Sequence, residues 1–122
     1  MLRCLIVDDS APFLDAATGL LEREGLVVAG TASSIADGLE QARALRPDVI
    51  LVDVMLGPES GFDLARRLAE VDGHDATVIL ISTHEEADLA DLIDGTPAAG
   101  FVTKNRLSAA AIQSLVSASR GR

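Results

Sequence analysis

The sequence predicts an α/β protein, a doubly wound (βα)5 sandwich of three layers with a parallel five-stranded sheet in the middle. Short apolar runs alternate with longer segments of helical periodicity along the whole chain. Several runs are apolar throughout, as expected for strands that helices cover on both faces. Consecutive strand–helix units with right-handed crossovers form one sheet with helices on both sides. The 122 residues are therefore expected to form a single domain, residues 1–122.

The strand predictions rest on short runs of apolar, mostly β-favouring residues. These runs are Leu2–Val7, Leu26–Gly30, Val49–Val52, Thr77–Ile81 and Gly100–Val102.

The helix predictions rest on capping residues and on apolar spacing. Ser10 is expected to cap the first helix, which carries Pro12 in its first turn. Ser34 opens the second helix and Pro47 closes it. Gly61 precedes the third helix. The fourth and fifth helices are predicted over Glu85–Ile93 and Leu107–Ser119.

Charge and composition exclude several classes of function. The formal charge is −9, which argues against a nucleic-acid-binding surface and against docking on anionic lipid. An excess of carboxylates is what a hard divalent cation would use. The chain has no apolar run long enough to span a membrane and no signal pattern, and its single cysteine, Cys4, cannot form an intrachain disulfide. We expect a cytoplasmic protein.

Polar side chains follow the predicted strands at the edge where an open α/β sheet binds its ligands. Asp8 and Asp9 follow the first strand and Asp53 follows the third. Ser82 follows the fourth strand and Lys104 comes just after the fifth. Taken singly, Asp9 could be a turn former, Ser82 a helix cap and Lys104 a solvated charge. Asp53 follows directly on a buried strand, where a carboxylate is costly unless another group neutralises its charge. The convergence of all five polar side chains on one edge of the sheet predicts a functional site.

At these positions the sequence resembles the receiver domains of two-component response regulators. The resemblance covers the whole chain and is carried by four segments in order. They are Val7-Asp8-Asp9-Ser10, Leu51-Val52-Asp53-Val54-Met55, Ser82-Thr83 and Ala99-Gly100-Phe101-Val102-Thr103-Lys104. It implies a flavodoxin-like fold with strand order 2-1-3-4-5, and a signalling domain rather than an enzyme.

The resemblance also implies a phosphoacceptor and a metal. Asp53 would take a phosphoryl group from the phosphohistidine of a sensor histidine kinase, which gives an aspartyl phosphate. Asp8 or Asp9, or both, would bind Mg²⁺ together with Asp53 and the backbone carbonyl of Met55. Such a domain assists its own phosphorylation and dephosphorylation.

Lys104 and Ser82 would act on the phosphoryl group, the first by neutralising its charge and the second by donating a hydrogen bond. By the same resemblance, Ser82 and Phe101 form a switch. Ser82 moves toward the phosphate and Phe101 turns inward, which changes the surface of the fourth helix, fifth strand and fifth helix. A simpler role for Phe101 is that of a core ring.

The end of the chain is similar to receivers that precede a helix-turn-helix output domain. An output domain or a separate partner protein would then read the switch. A homodimer could form through the first and fifth helices or through the face of the fourth and fifth helices, and the sequence does not decide between them.

Three segments depart from the family pattern. Asn105 stands where a proline usually follows the lysine, Gly57-Pro58 stands where Pro-Gly is commoner, and Thr83 stands where alanine or glycine is usual. The extra bulk of Thr83 could narrow the access of the attacking water and so lengthen the lifetime of the phosphorylated state.

The missing proline leaves one alternative open, a degenerate receiver that works only as a protein-interaction domain, although the intact Asp53 and Lys104 argue against it. A small aspartyl-nucleophile phosphohydrolase is disfavoured, because such enzymes carry a second aspartate where Met55 lies. A nucleotide or flavin module is disfavoured by the lack of a glycine-rich phosphate loop.

Overall fold

The computed structural model describes residues 2–70, 76–83, 95 and 97–120. Its strands are β1 (Arg3–Val7), β2 (Val27–Ala32), β3 (Val49–Asp53), β4 (Met55–Leu56), β5 (Glu59–Ser60), β6 (Thr77–Ser82) and β7 (Gly100–Thr103). Its helices are α1 (Ala11–Arg23), α2 (Ile35–Leu45), α3 (Gly61–Ala69), the 3₁₀ turn Lys104–Arg106 and α4 (Ala109–Arg120).

A parallel five-stranded sheet forms the middle layer, in the order β2-β1-β3-β6-β7. With the short β4–β5 hairpin set aside, this is the predicted order 2-1-3-4-5, so the predicted fold is confirmed. β1 and β3 are direct neighbours, and Val7 is paired with Val52. The residues that follow these two strands therefore emerge side by side at the carboxyl edge of the sheet.

The apolar core forms one cluster on each face of the sheet. Alternate residues of a strand enter different clusters, as the strand period of two requires. Cys4 and Ile6 of β1 belong to the cluster that includes residues of α1 and α4. Leu5 and Val7 belong to the cluster that includes residues of α3. Every residue of β3 and of β6 is buried, which explains why both segments are almost free of polar residues.

The predicted helix caps are present. The Ser10 hydroxyl accepts a hydrogen bond from the backbone N–H of Phe13 at 3.4 Å, and the Ser34 hydroxyl accepts one from Asp37 at 3.2 Å. Helix α2 ends at Leu45, one residue before Arg46, which has a left-handed backbone with φ 47°.

Several boundaries differ from those predicted. Strand β2 continues to Ala32 instead of ending at Gly30. Gly61 is the first residue of α3 and not the residue before it, because Ser60 caps this helix by accepting from the N–H of Phe62 at 3.2 Å. The last helix begins at Ala109 because a 3₁₀ turn precedes it.

The sequence did not predict the β4–β5 hairpin. Its turn contains Gly57, whose φ of +61° is a conformation that glycine adopts without strain. The predicted fourth helix, Glu85–Ile93, lies outside the described residues. Among the helices described, none is long and apolar enough to cross a lipid bilayer.

Candidate functional site

Three carboxylates meet at the carboxyl edge of the sheet. One oxygen atom each of Asp8, Asp9 and Asp53 lies within 4.8 Å of the other two. Asp8 directly follows β1 and is fully buried, Asp53 is the last residue of β3 and is 6% exposed, and Asp9 is exposed. The pairing of β1 with β3 brings these groups together, as the sequence predicted.

Backbone N–H groups fix the orientation of the two buried carboxylates. Asp8 Oδ1 accepts a hydrogen bond from the N–H of Ser10 at 2.8 Å. Asp53 Oδ1 accepts one from the N–H of Met55 at 3.2 Å. Each donor lies two residues beyond its acceptor, so each turn holds its own carboxylate. The other oxygen of each carboxylate, Oδ2, contacts Lys104.

Lys104 forms ion pairs with both buried carboxylates. Its Nζ lies 2.5 Å from Asp8 Oδ2 and 3.2 Å from Asp53 Oδ2. The contact with Asp53 is also a hydrogen bond, and the contact with Asp8 is the shorter of the two. Lys104 begins the 3₁₀ turn after β7, and its side chain is 15% exposed. Asn105 in place of the usual proline therefore leaves the lysine within reach of the site.

Burial and neighbouring charges shift the pKa values of both Asp53 and Lys104. Burial raises the pKa of Asp53 and the charge of Asp8 raises it further, while the Met55 N–H and Lys104 oppose the shift. Burial alone would lower the pKa of Lys104, but its bonds and charge contacts with Asp8 and Asp53 outweigh this and raise it. The ammonium thus stays protonated at neutral pH, and burial makes the ionised form of Asp53 poorly solvated.

The donor set fits a hard divalent cation. Carboxylate oxygens are the ligands that Mg²⁺ prefers, and here three of them converge. The buried Asp8 Oδ2 has the Lys104 ammonium as its charge partner, and a hard cation among the three carboxylates would share that role. Met55, the first residue of β4, adjoins the cluster in sequence, and its carbonyl stays a predicted ligand.

Ser82 lies at the same edge of the sheet as Asp53. It is the last residue of β6 and is 1% exposed. In the strand register Asp53 is paired with Ile81, and Ser82 is paired with Thr103. The Ser82 side chain is thus on the strand next to Asp53, as predicted, and its bond to a phosphoryl group stays a prediction.

Phe101 lies in β7 and is half-buried. Its ring packs against the core cluster that includes residues of α3. A core contact of this kind agrees with the simpler role for Phe101, and its movement in a switch stays a prediction.

Sequence reasoning missed two residues of the site. The ring of Phe13 lies under Lys104, with its centroid 4.2 Å from Nζ. Gly61 lies against the backbone of Asp53, and a Cβ atom at this position would come 1.9 Å from the Asp53 carbonyl oxygen. Sequence periodicity does not relate Phe13 to a lysine 91 positions away, and it does not show that the backbone at Gly61 packs against that of Asp53.

Comparison with known proteins identifies the family. The model of the response regulator receiver domain matches residues 4–116. The chain belongs to this family. Receiver domains are signalling domains of two-component systems, they bind Mg²⁺ at an acidic pocket, and they interact with sensor histidine kinases and output domains. The predictions of a receiver domain and of a phosphorelay signalling function are therefore confirmed.

Curated relatives are response regulators of greater length. The chain is 33% identical over 116 residues to the response regulator GacA of Pseudomonas viridiflava, covering 94% of this chain and 54% of that protein. It is 36% identical over 102 residues to the transcriptional regulatory protein CseB of Streptomyces coelicolor, covering 82% and 42%. This receiver domain thus spans about half the length of the curated relatives it matches.

Solved structures share the whole fold. The receiver domain of the response regulator NarL from Mycobacterium tuberculosis is 27% identical with a TM-score of 0.83, covering 99% of this chain and 98% of that one. A LuxR-family response regulator from Aurantimonas is 25% identical with a TM-score of 0.84, covering 100% and 87%.

Proposed function

We propose that this receiver domain accepts a phosphoryl group on the Asp53 carboxylate from the phosphohistidine of a sensor histidine kinase. The observation that carries the proposal is the contact of Asp53 Oδ2 with Lys104 Nζ, 3.2 Å away, inside the cluster of three carboxylates. A nucleophilic carboxylate beside a neighbouring cation is what formation of an acyl phosphate requires.

Among the three carboxylates, Asp53 is best suited to be the nucleophile. The Asp8 side chain is 0% exposed, so its oxygens are closed to a phosphoryl donor, whereas the Asp53 side chain is 9% exposed. Asp9 is exposed, and the ion pairs of Lys104 among the described residues are with Asp8 and Asp53. Asp53 therefore combines access with a neighbouring ammonium.

The transfer forms a bond between an Asp53 oxygen and phosphorus and breaks the bond between phosphorus and the histidine nitrogen. Lys104 keeps its proton and neutralises charge on the phosphoryl oxygens. Asp8, Asp9, Asp53 and the Met55 carbonyl would hold Mg²⁺, which when bound supplies further neutralisation of phosphoryl charge. Ser82, one strand away, would donate its hydroxyl hydrogen to the attached phosphoryl group.

The output of the domain is a change of surface. Phosphorylation would draw Ser82 toward the site and let Phe101 move deeper, which alters the face of β7 and the neighbouring helices. A dimer partner, an output domain or a separate protein would read that face. The chain covers about half of each relative named above, and the greater length of these relatives supports an output domain as the reader.

Three broader assignments accompany this function. Residues 1–122 would form a single receiver domain, and it would act on its own aspartate rather than turn over an outside substrate. The formal charge of −9 supports a domain that makes no direct contact with nucleic acid or anionic lipid. The buried free thiol of Cys4 fits the cytoplasm, where histidine kinases present their phosphohistidine.

Incubation with acetyl phosphate and Mg²⁺, followed by intact mass measurement, tests the phosphoacceptor. The wild type should gain one phosphoryl group, and chelation of the metal with EDTA should abolish the gain. Asp53→Asn should gain none. Asp63→Asn removes an exposed carboxylate of α3 and should be phosphorylated like the wild type. A wild type that gains no phosphoryl group would support the degenerate receiver instead.

A further inference from the structure

The ammonium group of Lys104 contacts an aromatic ring as well as two carboxylates. Its Nζ is 4.2 Å from the centroid of the Phe13 ring, well inside the range of about 6 Å over which a cation is attracted to a ring. The same atom is within 3.2 Å of Asp53 Oδ2. The lysine is thus bound to the core of the site and to helix α1 together.

Helix α1 places the Phe13 ring independently of the lysine. The Ser10 hydroxyl accepts a hydrogen bond from the Phe13 N–H, and Pro12 fixes the backbone of the same turn. The ring packs on the core cluster that includes residues of α1 and α4. Because α1 begins just after Asp8 and Asp9, the ring has a fixed position beside the carboxylates.

Lys104 itself has little restraint from its own backbone segment. It opens a short 3₁₀ turn, and the next two residues, Asn105 and Arg106, are exposed. A lysine side chain has a flexible four-carbon stem, and holding its end in one place costs conformational entropy. A partner that restrains the ammonium therefore decides how often it is in position.

The carboxylates cannot supply that restraint alone during the reaction. Asp8 and Asp53 are also the proposed metal ligands, so any cation held by their oxygens weakens their attraction for Lys104. An aromatic ring attracts the ammonium through its π face and does not compete for those oxygens. The ring contact therefore remains available to the ammonium while the carboxylates hold a metal ion.

We infer that Phe13 is a positioning residue that holds the Lys104 ammonium over Asp53 for phosphoryl transfer. The inference rests on the proposed function of Asp53 and extends it to a residue of α1. Phe13 does not touch the phosphoryl group and acts through the lysine.

Side-chain replacements give the first test, with the rate of phosphorylation by acetyl phosphate at saturating Mg²⁺ as the readout. Phe13→Leu keeps an apolar side chain but removes the ring, and we expect a rate roughly three- to tenfold lower. Phe13→Tyr keeps the ring and should stay within about twofold of the wild type. Equal rates for the leucine and tyrosine variants would overturn the inference.

A double-mutant cycle separates positioning from packing. If Phe13 acts through Lys104, then Phe13→Leu should cost nothing further in a Lys104→Ala background. Additive losses in the two backgrounds would mean that the ring acts on the fold and not on the lysine.

Fluorination of the ring changes its electrostatics while the size changes little. Pentafluorophenylalanine introduced at position 13 should slow phosphorylation as the leucine variant does, because fluorine withdraws charge from the π face. The same residue at position 62, whose ring is in the cluster on the opposite face of the sheet, is the matched control and should leave the rate unchanged. Unchanged rates at both positions would overturn the inference.

A measurement without phosphorylation distinguishes failure of this inference from failure of the proposed function. In NMR spectra of the metal-free protein, the ring current of Phe13 should shift the Hε protons of Lys104 upfield. The shift should vanish in Phe13→Leu. Unshifted Hε protons in the wild type would overturn the inference even if Asp53 is phosphorylated, and a shifted signal would support the contact even in a protein that takes no phosphoryl group.

Discussion

The substitution Gly61→Ala tests how the start of α3 supports the phosphoacceptor. A Cβ atom at position 61 would lie 1.9 Å from the carbonyl oxygen of Asp53 and 2.9 Å from Cα of Val54. Ordinary carbon–oxygen contacts of this kind are about 3.3 Å long, so the two backbones must separate by roughly 1.4 Å. The hydrogen bond from the Gly61 N–H to the Val54 carbonyl, 2.9 Å long, joins the same two segments.

The size of both effects of Gly61→Ala, on stability and on rate, depends on which atoms must move to make room for the methyl group. The neighbour of the new methyl group is backbone at the end of a fully buried strand, which cannot rotate away as a side chain can. Forcing extra atoms into such packing costs typically about 1–3 kcal/mol, and we expect about 3 kcal/mol of unfolding free energy to be lost here. A displacement of about 1 Å at the nucleophile should also slow phosphorylation by roughly 100-fold.

Urea unfolding followed by circular dichroism measures the first effect, and the rate with acetyl phosphate measures the second. Gly19→Ala in α1 is the matched control, because nothing lies within 4 Å of a Cβ atom at that position. It should stabilise the protein by about 0.5–1 kcal/mol and leave the rate unchanged. A Gly61→Ala protein as stable and as reactive as the wild type would refute this account of the α3 start.

Three further predictions concern the charges of the site and the core thiol. Lys104→Ala should still bind Mg²⁺ in calorimetric titrations but be phosphorylated roughly 100-fold more slowly, and a rate near that of the wild type would mean that the lysine acts elsewhere. Burial, aided by the charge of Asp8, raises the pKa of Asp53, so without metal the folded state binds this proton more readily than the unfolded state. The contribution of Asp53 to wild-type stability should therefore fall as the pH rises above about 4, and Asp53→Asn should be more stable than the wild type at neutral pH and lose that advantage in acid. Urea unfolding in EDTA across this pH range measures the difference in unfolding free energy between Asp53→Asn and the wild type. A difference that stays constant or grows toward acid would contradict the prediction. Burial raises the pKa of Cys4 to about 11, with the charge of Asp48 adding to it, so a thiol reagent at neutral pH should label the folded protein at least about 100-fold more slowly than the urea-unfolded protein. Equal labelling rates would contradict a closed core at β1.

Much of the fold was predictable because its signals are local. The buried strands carry long apolar runs. The helix starts carry serines whose hydroxyl groups accept hydrogen bonds from backbone N–H groups of the first helical turn. The site was predictable for the same reason. In a parallel sheet the residues at the carboxyl ends of β1 and β3 must emerge at one edge, so the sequence alone predicts that Asp8 and Asp53 lie close together.

The features that escaped prediction depend on backbone geometry or on contacts between distant segments. Residues 55–60 form a hairpin because Gly57 adopts a positive φ, which glycine permits but does not signal. Glu59 of β5 then accepts a hydrogen bond from the N–H of Ile35 at the start of α2, at 3.0 Å, a contact between elements that no sequence period encodes. The contact between Phe13 and Lys104 joins residues 91 positions apart and depends on how α1 lies against the last strand.

Reductive trapping tests the central claim most directly. Borohydride converts an aspartyl phosphate to homoserine, while phosphorylated hydroxyl side chains and free aspartates survive. After treatment with acetyl phosphate and Mg²⁺, peptide mass spectrometry should find homoserine at position 53 and unmodified aspartate at positions 8 and 9. Homoserine at position 9, or an unmodified Asp53 in a protein that has gained phosphate, would contradict the account.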